Sequence, residues 1–373
     1  MIRLVKTASK SPRQLGYRFP AEWEEQSAVM LSWPRPEGIS FPGRYHLIGD
    51  QLVAIVREIA ERQNVYINVP NLNYERIVTA ALRTAGVKLK RVRIFHIHTN
   101  EAWCRDHGPA CLVHSTDSKK HAVIDWAFNA WGGKYPPFDS DDAVPTKFAK
   151  LARIKPVFHP GIIMEGGAVE FNGAGTVLTT TDCLLNKNRN PGLSKADIER
   201  YLKDFYGQAN VCWLTGGIEG DDTDGHIDDL ARFIDPHTIV FGIETNKADV
   251  NYKSLRKVRK QLDNLRDQDS KPFEIVELPM PRPIVIDGQR CPATYMNFLF
   301  INDAILVPTF GDKQNDARAL SIYKELLPQH EVVGLPCDQL IWGLGAIHCL
   351  TQQIPAAFKR VDAWKLPGQV VGE

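Results

Sequence analysis

The sequence predicts an α/β fold built from repeated hairpin–helix–strand modules set around an axis. Three observations carry that prediction. Amphipathic helices are each followed by a short apolar strand. Hairpin-like pairs recur downstream of those strands. The second strands of three hairpins begin near Thr176, Thr238 and Ala304, about 62 and 66 residues apart, a spacing expected of modules repeated around an axis.

The helical patterns cover 47–62 continuing into 74–85, then 144–154, 194–206, 249–267 and 314–327. Leu52, Ile55, Val56 and Ile59 fall at the i, i+3, i+4, i+7 spacing of a buried helix face. Ser194 opens an S-x-x-D capping box, and Gly207 supplies a C-terminal stop. The apolar runs that follow the helices are 65–69, 156–159, 211–214, 273–278 and 332–335. Their β-branched residues and flanking Pro or Gly mark short buried strands.

The hairpins turn at Asn172-Gly173, Asp235-Pro236 and Asn302-Asp303, and a fourth pair, ACLVHSTDSKKHAVIDWAF, has a longer loop. Turn dipeptides between alternating apolar runs are the hairpin signal. Two segments are left single. AVMLSWP (28–34) looks like a second hairpin strand without a first, and AIHCLTQQIP looks like a first strand without a second. Pairing them would close the ring and hide its open edges.

Composition bounds the function. Of 373 residues, 43% are hydrophobic and 24% charged, as in ordinary globular proteins. Lys+Arg 45 against Asp+Glu 44 gives a net charge of +1, which argues against nucleic acid or an anionic membrane as partner. No apolar run approaches the ~18 residues of a membrane helix. The N-terminal stretch MIRLVKTASKSPRQLGYRFP has no apolar h-region of a signal peptide. The seven cysteines form no C-x-x-C. They fit a reducing cytoplasm and leave room for a catalytic thiol. No linker divides the chain, so a single domain over 1–373 is expected.

Four polar motifs fall between the strand after a helix and the hairpin that follows: WCRDHGP, MEGG, GDDTDGHIDD and GLGAIHCLTQQ. A ring would bring such positions to one central pocket. Cys349 is either a nucleophile, its thiol pKa tuned by neighbours, or a buried structural cysteine. On a strand, His226 and Asp228 would face the same side. They read as a general acid/base beside a substrate-binding carboxylate, as a surface pair, or as half of a metal site. By the same logic His348 would point away from Cys349. Glu165 either holds His226 or a cationic substrate, or is a turn residue before two glycines. Asp106 and Trp103 either make a turn and a piece of core, or present a carboxylate and an aromatic wall to a cation. The segment LNKNRNP (185–191) reads as turn and cap hydrogen bonds, with no chemistry assigned.

The ordered set W-x-R-D-x-G-P, M-E-G-G, LLNKNRNP, G-D-D-T-D-G-H-I-D and G-x-I-H-C-x-T-Q-Q-x-P resembles the agmatine deiminase family, which is grouped with bacterial-type peptidylarginine deiminases. The resemblance runs from GYRFPAEW at 16–23 to QQIP at 352–355. It implies a single-domain pseudo-fivefold α/β propeller of the guanidine-modifying superfamily. It implies Cys349 as nucleophile, His226 as general acid/base, and Glu165 as a carboxylate contacting that histidine and the substrate nitrogens. Asp106 and Asp228 would grip the guanidinium, and Trp103 would line the pocket. It further implies a cytoplasmic enzyme, a homodimer, and a reaction needing no metal or cofactor.

Cys104 and His107 fill variable places of W-x-R-D-x-G-P where many agmatine-specific members differ. The substrate beyond the guanidinium therefore stays open among agmatine, free arginine and peptidyl-arginine. A metal-dependent hydrolase using His226, Asp228 and Cys349 or His348 is the competing chemistry.

Overall fold

The computed structural model of the protein describes residues 10–363. The fold is mixed α/β, with several small sheets. Five of those sheets share one pattern: a first strand, a second antiparallel to it, and a third parallel to the second.

In the first module the three strands are Ala110–His114, His121–Ile124 and Val157–Phe158. In the second they are Val169–Phe171, Thr176–Thr180 and Asn210–Leu214. The third uses Ala231–Phe233, Thr238–Ile243 and Glu274–Pro279. The fourth uses Leu299–Ile301, Ala304–Thr309 and Glu331–Pro336. Each crossover to the parallel strand carries a helix, as a parallel connection requires. These helices are Val144–Leu151, Lys195–Tyr206, Asn251–Leu262 and Lys313–Leu326.

The fifth module joins the two ends of the sequence. Thr351–Pro355 pairs antiparallel with Gln26–Ser32, placing Thr351 opposite Leu31, and Gln26–Ser32 pairs in parallel with Asn64–Val69. The two segments left single in the sequence are thus partners. All seven residues of Gln26–Ser32 are buried. A chain lacking residues 1–35 loses an inner strand of this four-stranded sheet and is expected to show no cooperative melting transition; an unchanged melting temperature would refute the importance of this pairing.

The helix signals read from the sequence explain the element ends. Ser194 and Asp197 form the capping box of Lys195–Tyr206, and Gly207 ends it at φ +73°. Leu52, Ile55, Val56 and Ile59 are all buried on the inner face of helix Tyr45–Arg62. The continuation into 74–85 does not hold as one helix. Strand Asn64–Val69 intervenes, and Asn71 caps a new helix, Leu72–Thr84, by accepting from the Asn73 and Tyr74 amides. The helix expected over 249–267 stops at Leu262, because Asp267 instead accepts from the Asp269 and Lys271 amides in a turn. Among the described residues, no helix is long and apolar enough to cross a membrane.

Candidate active site

The polar motifs sit on the turns that enter the first strand of each module. Asp106 lies in the helical turn Cys104–His107, and Glu165 precedes the 3-10 turn Gly166–Ala168. Asp228 lies in the 3-10 turn Ile227–Asp229 just after His226, and Cys349 lies in the helical turn Ile347–Leu350.

Two expectations change here. His226 and Asp228 are not on a strand, yet both reach one site: His226 Nδ1 stands 3.8 Å from Asp106 Oδ1 and 3.9 Å from Asp228 Oδ1. His348 and Cys349 are not on a strand either. Their helical turn lets both side chains reach Asp228, His348 Nδ1 at 2.6 Å and Cys349 Sγ at 3.7 Å from Oδ2.

The register of these turns repeats. Gly108, Gly167, Asp229, Asn297 and Cys349 each stand two residues before the first strand of their module. Asn297 had no signal in its neighbours, YMNFLF, and the repeat singles it out once the strand starts are fixed. Its Oδ1 accepts from the amides of Ala346, His348 and Cys349 at 3.2, 3.0 and 3.2 Å. Its Nδ2 lies 3.0 Å from Cys349 Sγ and 2.9 Å from Asp229 Oδ1. One amide side chain therefore shapes the cysteine turn and donates to the thiol.

Gly167 explains the second glycine of MEGG. A Cβ there would lie 2.6 Å from His226 Nδ1, 2.9 Å from Asp106 Oδ1 and 3.1 Å from Asp228 Oδ1. Those three groups meet over a bare backbone. Gly166 is equally confined, since its Cβ would sit 2.1 Å from the Arg105 carbonyl oxygen. Gly167→Ala is expected to displace the imidazole and cost at least about 100-fold in kcat/KM, the order of loss from small misplacements at a reacting centre. Wild-type kinetics in that variant would contradict the crowding.

Asp106 Oδ1 accepts from the Gly167 amide, and Oδ2 accepts from Trp131 Nε1, both at 2.9 Å. Trp131 holds a left-handed φ of +54° between Ala130 and Gly132, which are also left-handed. A bulky residue in that region stores strain of about 1–3 kcal/mol, and such strain gathers at functional sites. Burial raises the Asp106 pKa to about 6, against the pull of His226.

Burial alone would lower the His226 pKa. The Asp106 carboxylate, the Cys183 thiol and the Asp228 carboxylate outweigh it and hold the imidazole well above its usual value. Neither ring nitrogen of His226 has a hydrogen-bond partner of standard geometry. Burial, then Asp228, Asp229 and Asp106, push the Cys349 thiol well above its usual value, and Asn297 pulls it back. An unliganded pocket thus favours the neutral thiol.

Glu165 is fully buried, and its Oε1 accepts from Arg189 Nε at 2.7 Å. Arg189, in the segment read as plain turns, also bonds Asp224 and the Thr223 carbonyl. Glu165, Cys183 and His226 each place a polar atom within 4.8 Å of the others. Glu165 is thus near His226, while its direct charge partner is Arg189.

A cavity opens on Cys349 and Asp106, offering about 170 Å³ to the centres of water-sized atoms. Its walls include Trp103, Trp131, Tyr135 and Trp342, with Asp222 and Glu101 as further carboxylates and no Lys or Arg among its lining residues. Glu101 is taken up by the Ile39 and Ser40 amides. Tyr135 donates its hydroxyl to Asp222. The variable positions Cys104 and His107 are buried but do not line this cavity.

A buried thiol, a buried imidazole and converging carboxylates define the class: a mixed α/β enzyme of the cysteine-hydrolase type. The chain belongs to the Porphyromonas-type peptidyl-arginine deiminase family, whose model matches residues 18–355. It is 33% identical over 378 residues to the agmatine deiminase of Pseudomonas syringae pv. tomato, covering 95% of this chain and 100% of that protein. It is 34% identical over 379 residues to the agmatine deiminase of Pseudomonas putida, with the same coverage. Among solved structures, a cysteine-to-serine variant of C. jejuni agmatine deiminase with substrate bound superposes with a TM-score of 0.81 at 33% identity, covering 91% of this chain and 96% of that one.

Proposed function

We propose that this protein is an agmatine deiminase, converting agmatine and water to N-carbamoylputrescine and ammonia. The observation that carries the reading is a cavity lined by Cys349 and Asp106, acidic and aromatic and with no Lys or Arg among its lining residues, with the buried His226 and Asp228 standing directly behind those two groups. Agmatine is cationic at both ends. Free arginine would bring an α-carboxylate, which needs a cation to receive it. Asp222 and Glu101 would repel it instead.

A guanidinium is a poor electrophile, so it needs fixed orientation and a nearby nucleophile. Asp106 and Asp228 accept its N–H groups, matching the planar fork of the cation. The bound cation offsets the carboxylates around Cys349, and the thiol gives its proton to solvent, leaving the thiolate. The thiolate sulfur attacks the central carbon, forming a C–S bond and a tetrahedral adduct. The His226 imidazolium gives its proton to the departing nitrogen, the C–N bond breaks, and ammonia leaves behind a thiouronium. Water then loses a proton to the neutral His226 and adds to the same carbon. Loss of the C–S bond releases the ureido product and restores the thiol. Trp103 walls the pocket. Glu165, held by Arg189, supplies negative charge behind His226.

The five repeated modules, with equivalent turns meeting at one site, support a pseudo-fivefold propeller in a single domain; of the expected 1–373, residues 1–9 and 364–373 lie outside the described residues. The test of function is ammonia release by purified protein given agmatine alone in the presence of chelator. Release supports thiol chemistry over a metal-dependent hydrolase, for which Asp228, Asp229 and Cys349 would be the donors. Silence with agmatine but turnover of arginine or an arginyl peptide would reassign the substrate.

A further inference from the structure

Glu22 lies in the GYRFPAEW segment, which the reaction above does not use. It is buried, and its Oε1 accepts from the Phe300 amide at 2.7 Å. Its Oε2 accepts from Arg232 Nη2 at 3.0 Å, lies 3.6 Å from Arg105 Nη2, and faces His348 Nε2 at 2.8 Å. The other ring nitrogen, His348 Nδ1, stands 2.6 Å from Asp228 Oδ2. Arg232 is anchored in turn by Glu170 and by the carbonyls of Met296 and Phe298. A continuous line therefore runs from Arg232 through Glu22 and His348 to Asp228.

Asp228 is fully buried, and the acidic groups of Asp106, Asp229 and Cys349 crowd around it together with the His226 imidazole. A carboxylate so crowded by acids keeps its charge only beside a fixed cation. Its Oδ1 has no hydrogen-bond partner, while Oδ2 is taken by His348. We propose that Glu22 and His348 are positioning residues: the Glu22–His348 pair holds Asp228 ionised with Oδ2 locked and Oδ1 presented to the substrate guanidinium. The role of Asp228 in this statement rests on the functional reading above.

Burial and the Arg105 and Arg232 guanidiniums hold the His348 pKa below its usual value, against the opposite pull of Glu22 and Asp228, and the contacts of its two ring nitrogens argue against that direction. The geometry decides for the doubly protonated ring. An imidazole nitrogen without its proton would face an ionised carboxylate lone pair at 2.8 Å or less, which is repulsive. The Glu22 carboxylate stays ionised because Arg232, His348 and Arg105 outweigh its burial.

The test uses Glu22→Gln and His348→Asn, singly and together. Each keeps a polar group of similar size, and the asparagine can still reach Asp228. Each is expected to lower kcat/KM for agmatine by about 10–100-fold, the usual loss when an outer-shell partner is removed. The loss should fall mainly on KM, and the acid limb of the kcat/KM profile should move to higher pH as Asp228 becomes easier to protonate. The double variant should be no worse than His348→Asn, because both act through one line. Multiplying losses, or a lower melting temperature with KM and acid limb unmoved, would overturn the relay.

A second readout needs no turnover. In the ligand-free protein at neutral pH, the ¹⁵N shifts of His348 should be those of an imidazolium, and Glu22→Gln should turn them into those of a neutral ring. A neutral His348 in the wild type overturns the proposal. If the wild type leaves agmatine untouched, the functional reading fails, and this spectrum still decides the relay.

Discussion

Cys349→Ala is expected to abolish ammonia release, with a loss of at least about 10⁴-fold in kcat, as when the nucleophile of a covalent hydrolase is removed. The fold should survive. The thiol is buried beside the cavity, but its removal strands little. Asn297 Nδ2 keeps Asp229 as a partner, and Asn297 Oδ1 keeps the three backbone amides of the cysteine turn. Ammonia assays and thermal melting on the same preparation separate the two effects. A folded alanine variant with substantial turnover would remove Cys349 as nucleophile. The other cysteines make poor substitutes. Burial drives the thiol of Cys104 up to about 12 and that of Cys212 up to about 11, and neither lines the cavity.

The repeat was legible because each module states its parts locally. A capped helix, an apolar run and a turn dipeptide are signals within a few residues, and Thr176, Thr238 and Ala304 are the first residues of the strands the structure contains. The pairing of the two chain ends was legible by elimination, since 28–34 and the C-terminal run each lacked a partner within their own stretch. Local signals misled where tertiary contacts set the backbone. The apolar and polar alternation of GHIDDLARF reads as one strand, but pairing begins only at Ala231. Before it the chain turns so that His226 and Asp228 both reach the site. The same holds for IHCL, which is a helical turn before Thr351.

The polar motifs offered Asp106, Glu165, His226, Asp228 and Cys349 as candidates with alternatives open, the family resemblance singled them out, and the structure brings their side chains together. Their partners were harder to read. Arg189 lies among asparagines in a segment rich in turn formers, and only the fold carries its guanidinium to Glu165, 24 residues away. Glu22 and His348 are 326 residues apart and meet because the fifth module joins the two ends of the chain. Trp131 lies outside the four polar motifs, yet its indole nitrogen is spent on Asp106. Asn297 is the instructive case. No motif surrounds it, but counting two residues back from the fourth module's first strand lands on it.

Asp106→Asn tests the carboxylate pair and gives a signed prediction at both ends of the pH profile. Both oxygens of Asp106 face donors, the Gly167 amide and the Trp131 indole nitrogen. An asparagine offers one acceptor, so its NH₂ must meet a donor, at a cost of about 1–3 kcal/mol for an unsatisfied buried group. The variant should fold with a lower melting temperature and lose about 100-fold or more in kcat/KM, from a missing charge-assisted hydrogen bond and a loosened substrate. Burial holds the wild-type carboxyl near pH 6. The ionised form that binds a guanidinium exists above that value, so wild-type kcat/KM should fall as pH drops through about 6. Because Asp106 and Asp228 both face His226, this limb belongs to the pair. At the alkaline end the sign is opposite. The Asp106 charge helps to hold His226 protonated, and the imidazolium is the form that protonates the leaving nitrogen. Removing that charge lowers the His226 pKa, so the alkaline limb of the variant should move to lower pH. An asparagine variant with near-normal kcat/KM, or one whose alkaline limb stays where the wild type has it, would take Asp106 out of the site's chemistry.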